Sequence, residues 1–209
     1  MEHNIQINKT AKYVTYGNPV TAKTILFALH GYGQLAKFFI RKFNMLNEND
    51  YFVVVPEGLH RFYLNGSSGR VGASWMTKEE RQSDIDDYIG YLDLLFEEID
   101  ATYSFENKTL LGFSQGGATA SRWHSLGKFK ADKFLLWASV FPNDMSLEFS
   151  NRFQESDNYF VLGNEDEYLS FEQGELCVDK LNQSTLEFQF VKFSGKHNID
   201  TKTLLNLVY

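Results

Sequence analysis

The chain has one cysteine, Cys177, among 209 residues, so it can form neither an intramolecular disulfide nor a thiolate metal cluster. Proline is scarce as well. Pro19, Pro56 and Pro142 all sit beyond or between strand-like runs, and no Pro/Gly-rich linker, low-complexity tract or internal repeat divides the sequence. A single domain over residues 1–209 is the economical reading. Basic residues are outnumbered, with 20 Lys and Arg against 27 Asp and Glu. The resulting charge of −7, with no basic cluster to offset it, argues against nucleic acid or an anionic membrane surface as partner. Long apolar runs are missing too: none approaches the ~18 residues that a membrane span needs. The opening Met1-Glu2-His3-Asn4-Ile5-Gln6 lacks a basic segment followed by an apolar one. These absences predict a cytoplasmic protein in a reducing compartment, with no integral membrane association and with small-molecule or protein substrates.

What is present is globular: 43% hydrophobic and 22% charged residues, with 19 phenylalanines whose ordinary use is core packing. Short apolar, β-rich runs alternate with helical patterns, the signature of strand–helix–strand crossovers. Strands are predicted near Asn4 to Asn8, Lys12 to Tyr16, Thr24 to Leu29, Phe52 to Val55, Thr109 to Phe113, Lys133 to Trp137, Tyr159 to Leu162 and Glu187 to Phe193. They would form a mostly parallel, eight-stranded α/β sheet with helices on both faces. The clearest helix follows Thr77-Lys78-Glu79-Glu80, which reads as a capping box, and repeats Ile85, Ile89, Leu92, Leu95, Phe96 and Ile99 at helical spacing. Further helices are expected over Lys37 to Leu46, Gly116 to Leu126, Phe171 to Leu181 and Thr201 to Val208. The long non-helical stretch Glu57 to Met76 follows a strand, on the side where sites form.

Chemistry enters at Gly112-Phe113-Ser114-Gln115-Gly116-Gly117, preceded by Thr109-Leu110-Leu111. A strand delivering a serine onto a turn between two glycines has the form of a nucleophile elbow, in which the serine is strained and its neighbours must lack side chains. Such a serine needs a histidine base and then an acid, in the chain order Ser, Asp/Glu, His. His3, His30 and His60 precede Ser114, and His124 lies on the same predicted helix, about 15 Å further on at ~1.5 Å per residue. His197, in the loop leaving the last strand, remains. The acid should end another strand between them, where Glu165, Asp166 and Glu167 follow Tyr159 to Asn164. Asp166 is the choice, although spacing alone does not separate it from Glu165. An oxyanion hole requires two backbone N–H groups. Gln115 supplies one, and Tyr32 in the glycine-rich turn His30-Gly31-Tyr32-Gly33 the natural second, with His30 itself structural.

His30-Gly31-Tyr32-Gly33, the elbow with its double glycine, Gly163-x-x-Asp166 and Gly195-x-His197 together resemble the small carboxylesterase/phospholipase branch of the α/β-hydrolases, which includes acyl-protein thioesterases. The resemblance spans most of the chain from Thr24 onward. It implies a triad of Ser114, Asp166 and His197, oxyanion donors at Tyr32 and Gln115, and a site-facing loop at Ala138 to Pro142, and it favours Asp166 over Glu165. Three departures fall on the acyl or alcohol pocket: Gln34 where the family often has an acid, Val140 where it often has Gly, and Gly72-Ala-Ser-Trp-Met76 where an aromatic and an acid follow the tryptophan.

Only about twenty residues separate the strands ending near Trp137 and beginning near Tyr159, too few for a large cap domain. An open site is expected, flanked by loop aromatics, with Trp75 and Phe141 the candidate pocket residues and Arg61 or Arg70 able to meet a substrate anion. The expected activity is hydrolysis of a small-molecule carboxylic ester through an acyl-enzyme, with no cofactor and no metal. A thioester substrate uses the same apparatus. A catalytically silent hydrolase fold that binds a ligand or partner protein is the alternative of another class.

Overall fold

Apolar runs become strands and longer periodic segments become helices in the computed structural model, which describes residues 1–145, 152–184 and 186–209. In chain order the described elements are β1 (Tyr13–Tyr16), β2 (Thr24–Leu29), α1 (Ala36–Phe39), β3 (Tyr51–Pro56), β4 (His60–Tyr63), β5 (Val71–Ser74), α2 (Arg81–Asp100), β6 (Asn107–Phe113), α3 (Gln115–Leu126), β7 (Lys133–Trp137), β8 (Asp157–Gly163), α4 (Phe171–Gln183), β9 (Phe188–Phe193) and α5 (Thr201–Val208). Among the described residues seven strands form one sheet in the order β1-β3-β2-β6-β7-β8-β9, with β1 antiparallel and every other pairing parallel. β4 and β5 make a separate antiparallel hairpin.

Burial explains the parallel core. Residues 25 to 29 of β2 and 51 to 56 of β3 are buried without alternation, as strands covered on both faces must be. Phe27 meets Phe96 of α2 and Trp123 of α3 on one face. Tyr51 and Phe113 lie an odd number of residues from Val54 and Leu110, the register partners of Phe27, and so point to the other face. There Phe113 stacks on Phe39 of α1, and Tyr51 donates its hydroxyl hydrogen to Val208 O of α5. Helices therefore cover both faces, as expected.

Three local expectations need correction. Asn4 to Asn8 is not a strand: Ile5 and Ile7 stay 87% and 76% exposed, so their alternation has no apolar face to bury, and Asn4 Nδ2 donates to Glu80 Oε2 instead. The Thr77 capping box does not form. Glu80 adopts φ 48° and α2 starts at Arg81, while Thr77 donates its hydroxyl to Glu79 O and its N–H to Asp84 Oδ2. Lys37 to Leu46 is not one helix but α1 followed by a 3₁₀ turn, Ile40–Phe43, whose three-residue spacing buries both end residues on one face. The stretch Glu57 to Met76 is ordered by the β4–β5 hairpin, with Gly66 and Gly69 at positive φ around its tip. A capping box does form further on, between Ser170 and Gln173 at the start of α4.

Beneath the sheet's amino end, His124 of α3 lies buried against Phe134 (5.5 Å, stacked) and edge-on to Phe153 (4.7 Å). Ala131 N–H points at its Nδ1, leaving the Nε2 hydrogen for Ser156 Oγ. Burial disfavours the imidazolium, and the pKa is pushed down to about 4. A histidine depressed in the folded state takes up its proton first in the unfolded chain. Its stabilising contribution is therefore whole above about pH 6.5 and is lost as the pH falls toward about 4. Urea unfolding across this range should show a slope, of which His124→Gln removes up to about 1.4 kcal/mol per pH unit. An unchanged slope in the variant would assign the acid sensitivity elsewhere.

Candidate active site

The turn between β6 and α3 carries Ser114 at φ 54°, ψ −123°, a conformation an L-residue adopts only when its surroundings impose it. The imposition is visible atom by atom. A Cβ on Gly112 would lie 2.5 Å from Gly116 O and Gly117 Cα, and one on Gly116 would lie 2.2 Å from Leu29 O and 2.5 Å from His30 O. The first glycine lets the helix close on its own strand. The second lets the turn close on the end of β2. Ser114 N–H donates to Trp137 O (3.0 Å) and Ser114 O accepts from Gly117 N–H (2.9 Å), so the serine is held from β7 and from its own helix.

Asp166 and His197 leave β8 and β9 at the same carboxyl edge. Their loops are joined closely: Glu165 N–H donates to Gly195 O (2.8 Å), Asn164 N–H to Phe193 O (3.0 Å) and Gly195 N–H to Asn164 Oδ1 (3.0 Å). Gly163 permits this approach, since a Cβ there would stand 2.3 Å from Gly195 O. Asp166 Oδ1 accepts from the N–H groups of Tyr168 (2.9 Å) and Leu169 (3.2 Å). Its Oδ2 faces His197 Nδ1 at 2.7 Å, with the carboxylate fully buried and the imidazole 15% exposed. Glu165 and Glu167 are solvent-exposed and make no such contact. The imidazole lies between the rings of Phe113 (4.8 Å) and Tyr168 (4.6 Å), which sets it over the end of β6, the strand that delivers Ser114. With Nδ1 engaged by the carboxylate, Nε2 is the free nitrogen of the ring.

The turn after β2 forms the opposite side. A Cβ on Gly31 would touch Ser114 Cβ at 3.0 Å, so Tyr32 follows immediately beside the serine. Gly31 N–H donates to Gln34 Oε1 (3.0 Å), and Gln34 N–H to Gly31 O (3.2 Å), closing the turn with Gly33 at φ 73°. Among the described residues the amides of Tyr32 and Gln115 have no hydrogen-bond acceptor. His30 stands beneath as a pillar, its Nδ1–H donating to Gly31 O (2.8 Å) and its Nε2 accepting from Gly58 N–H (3.0 Å). Burial lowers its pKa and keeps it neutral, the structural part expected of it.

Neither expected pocket aromatic lines an opening. Trp75 is fully buried, donates from Nε1 to His30 O (2.8 Å) and packs against the His30 ring (5.1 Å), so it is a floor under the site. Phe141 turns toward Phe153 (5.4 Å) and Phe188 (6.2 Å), and Phe188 begins β9 at the end away from His197. The side chains that do face outward here are Tyr32, its ring tilted against Phe62 (5.1 Å), Val140 and the 75% exposed Tyr168. Tyr168 was legible in principle, because an aspartate taking the N–H groups two and three residues on is a common turn device. Arg61 is spent on Glu57 Oε1 (2.7 Å). Asp144, unmarked by any pattern, joins Arg122 of α3 and Arg81 of α2 at 2.8 Å each and anchors the segment after β7. Desolvation works to raise its pKa, but the Arg122 hydrogen bond together with the charges of Arg122 and Arg81 outweighs it and holds the carboxyl below its ordinary value. Among the described residues no group of three or more His, Cys, Asp or Glu side chains could hold a metal ion, and no helix is long and apolar enough to cross a membrane.

A mostly parallel sheet with a serine on a strained strand–helix turn, and an Asp–His pair on the later loops, defines an α/β-hydrolase. The chain belongs to the FSH1 serine hydrolase family, whose pattern it matches over residues 20–205. Solved structures agree in fold. Acyl-protein thioesterase 2 of Zea mays has 16% identity and a TM-score of 0.72, with 94% of this chain and 96% of that one covered. Esterase PE8 has 18% identity and a TM-score of 0.70, with 95% and 96% covered. A phospholipase/carboxylesterase from Dyadobacter fermentans has 19% identity and a TM-score of 0.66, with 97% of each chain covered. No curated protein is similar enough in sequence to count as a match.

Two glycines separate what the elbow requires from what a helix merely tolerates. Gly116→Ala should destabilise the fold by about 3 kcal/mol or more, because its Cβ meets backbone that cannot move aside. Gly90→Ala, in the exposed interior of α2 with no heavy atom within 4 Å of the new Cβ, should stabilise by about 1 kcal/mol. Denaturant midpoints of the two variants test the contrast. Equal effects would mean that the turn is not under steric control.

Proposed function

We propose that this serine hydrolase cleaves carboxylic esters of small molecules through an acyl-enzyme on Ser114. The observation that carries the reading is the buried Asp166 carboxylate 2.7 Å from His197 Nδ1, at the sheet edge where Ser114 is held at positive φ. In this mechanism His197 Nε2 takes the Ser114 proton as Oγ attacks the carbonyl carbon. The Tyr32 and Gln115 amides receive the developing oxyanion. His197 then returns the proton to the departing alcohol oxygen, leaving the acyl group on Ser114, and a water repeats the sequence to release the acid. Asp166 keeps the proton of the neutral ring on Nδ1 and stabilises the imidazolium. No step calls for a cofactor.

The geometry favours Asp166 over Glu165 as the acid, since the two N–H groups on its other oxygen hold the carboxylate in one orientation. Thioesters fit the same chemistry and differ in the leaving group, and the thioesterase of Zea mays shares the fold. The open rim of Tyr32, Val140 and Tyr168 suits either.

Nitrophenyl esters of graded acyl length, run beside matching thioesters, test the reading. Ser114→Ala should lower turnover by about 10⁶-fold and abolish labelling by a fluorophosphonate. Retained hydrolysis in a clean preparation of that variant would overturn the assignment. Asp166→Asn should lower turnover by about 10⁴-fold while Glu165→Gln changes little, and the reverse ranking would move the acid by one residue.

A further inference from the structure

The Gln115 side chain is the one polar group of the elbow that the reaction as described leaves unused, and it is fully engaged. Its Oε1 accepts from Trp75 N–H (3.1 Å), and its Nε2 donates to Met76 O (2.9 Å) and Ser74 Oγ (3.1 Å). The orientation of the amide is not ambiguous: a backbone N–H can only donate and a carbonyl can only accept, so oxygen must face Trp75 and nitrogen Met76. Ser74 ends β5, and Trp75 and Met76 follow it directly. The same strand reaches the other side of the site, where Gly33 N–H donates to Ala73 O (2.8 Å) and Ala73 N–H to Gln34 O (3.1 Å). Gly72 lies so close that a Cβ would meet Gly33 O at 2.5 Å. The Trp75 indole adds a bond to His30 O (2.8 Å).

The segment Gly72–Met76 is thus a strap with one end bonded around Tyr32 and the other to Gln115. Those two residues carry the proposed oxyanion amides, and they arrive from different strands, β2 and β6. Pairing of Leu29 with Gly112 fixes the strands but not the amides one turn beyond them. We propose that the Gln115 side chain is a positioning residue: through the strap it sets the separation and aim of the Tyr32 and Gln115 amides, and so stabilises the tetrahedral intermediate without touching substrate. The inference rests on the reading of Ser114 as nucleophile. Oxyanion donors act by preorganisation, so loosening the strap should weaken transition-state binding and leave ground-state binding alone.

The test uses the whole protein with a short-chain nitrophenyl ester and a trifluoromethyl ketone. Ser114 Oγ adds to the ketone carbon, its proton passes to His197, and the carbonyl oxygen becomes an oxyanion in the hole. Gln115→Leu, which keeps the backbone N–H and removes every side-chain hydrogen bond, should lower kcat roughly 10- to 100-fold. KM should stay within about threefold, and affinity for the ketone should fall in proportion to kcat. A folded Gln115→Leu protein with wild-type kcat, or one whose kcat falls while ketone affinity does not, would overturn the proposal. Should that variant not fold, Gln115→Glu sets a carboxylate oxygen against Met76 O, and Ser74→Ala removes the hydroxyl's bonds to Gln115 and to Met76 O. Both should lose kcat and ketone affinity together, less in Ser74→Ala, and the same failures overturn it. If the wild-type protein does not bind the ketone and Ser114→Ala still hydrolyses, the fault lies with the nucleophile. If both behave as expected while the Gln115 variants match wild type, it lies with the strap alone.

Discussion

The approach of the β6–α3 turn to the end of β2 is the constraint on which the remaining site geometry hangs. Gly116 has room for a hydrogen and nothing more against Leu29 O and His30 O. That contact fixes how far α3 can advance, and with it the strained backbone of Ser114 and the distance from Ser114 to the turn that carries Tyr32. Strain of this kind persists only where neighbours over-determine it. Here they do, from β7 through Trp137 O and from α3 through Gly117 N–H.

Around that fixed point the molecule uses loops tied to one another rather than long rigid supports. The Asp166 and His197 loops are joined backbone to backbone, and the Trp137 indole clamps the far side by donating to Asn198 O (2.9 Å). The β4–β5 hairpin is tied to the β2 turn by a bridge between Gln34 and Ala73. The segment after β7 is held by charge, Asp144 between two arginines, one of them almost wholly buried. The supports are thus short and local, two loop pairs bonded to each other and one segment held to the helices by charge.

Much of this could be read from residue order. Unbroken apolar runs identify buried parallel strands because a strand covered on both faces has no polar side to display, and Thr24 to Leu29, Lys133 to Trp137 and Thr201 to Val208 fall where the pattern puts them. Ser114 and His197 stand out in the sequence because elbow chemistry is strict about spacing and chain order, and the fold sets both at the carboxyl edge of the sheet. Residue order leaves Asp166 and Glu165 open, since what distinguishes them is a carboxylate orientation set by Tyr168 and Leu169 N–H and the contact with His197. The hairpin escaped because His60 to Tyr63 and Val71 to Ser74 are too short and too mixed to announce strands; tertiary bonds make them so. Trp75 misled for a related reason. A tryptophan in a loop near a site looks like a wall, and only the partner of its indole N–H reveals a floor.

Tyr168 carries a consequence of another kind. Its ring covers the His197 imidazole, while its own N–H is one of the two that hold Asp166. Divergence of substrate range in such a fold proceeds by swapping rim residues. Position 168 is constrained twice, because proline there would remove an N–H bond to Asp166 and any smaller side chain would uncover the His197 imidazole. Val140, on a loop anchored separately by Asp144, is free of that double duty. In the proposed mechanism the two exposed side chains are therefore unequal: Tyr168 is tied to the Asp166–His197 pair through both its ring and its N–H, and Val140 is tied to neither.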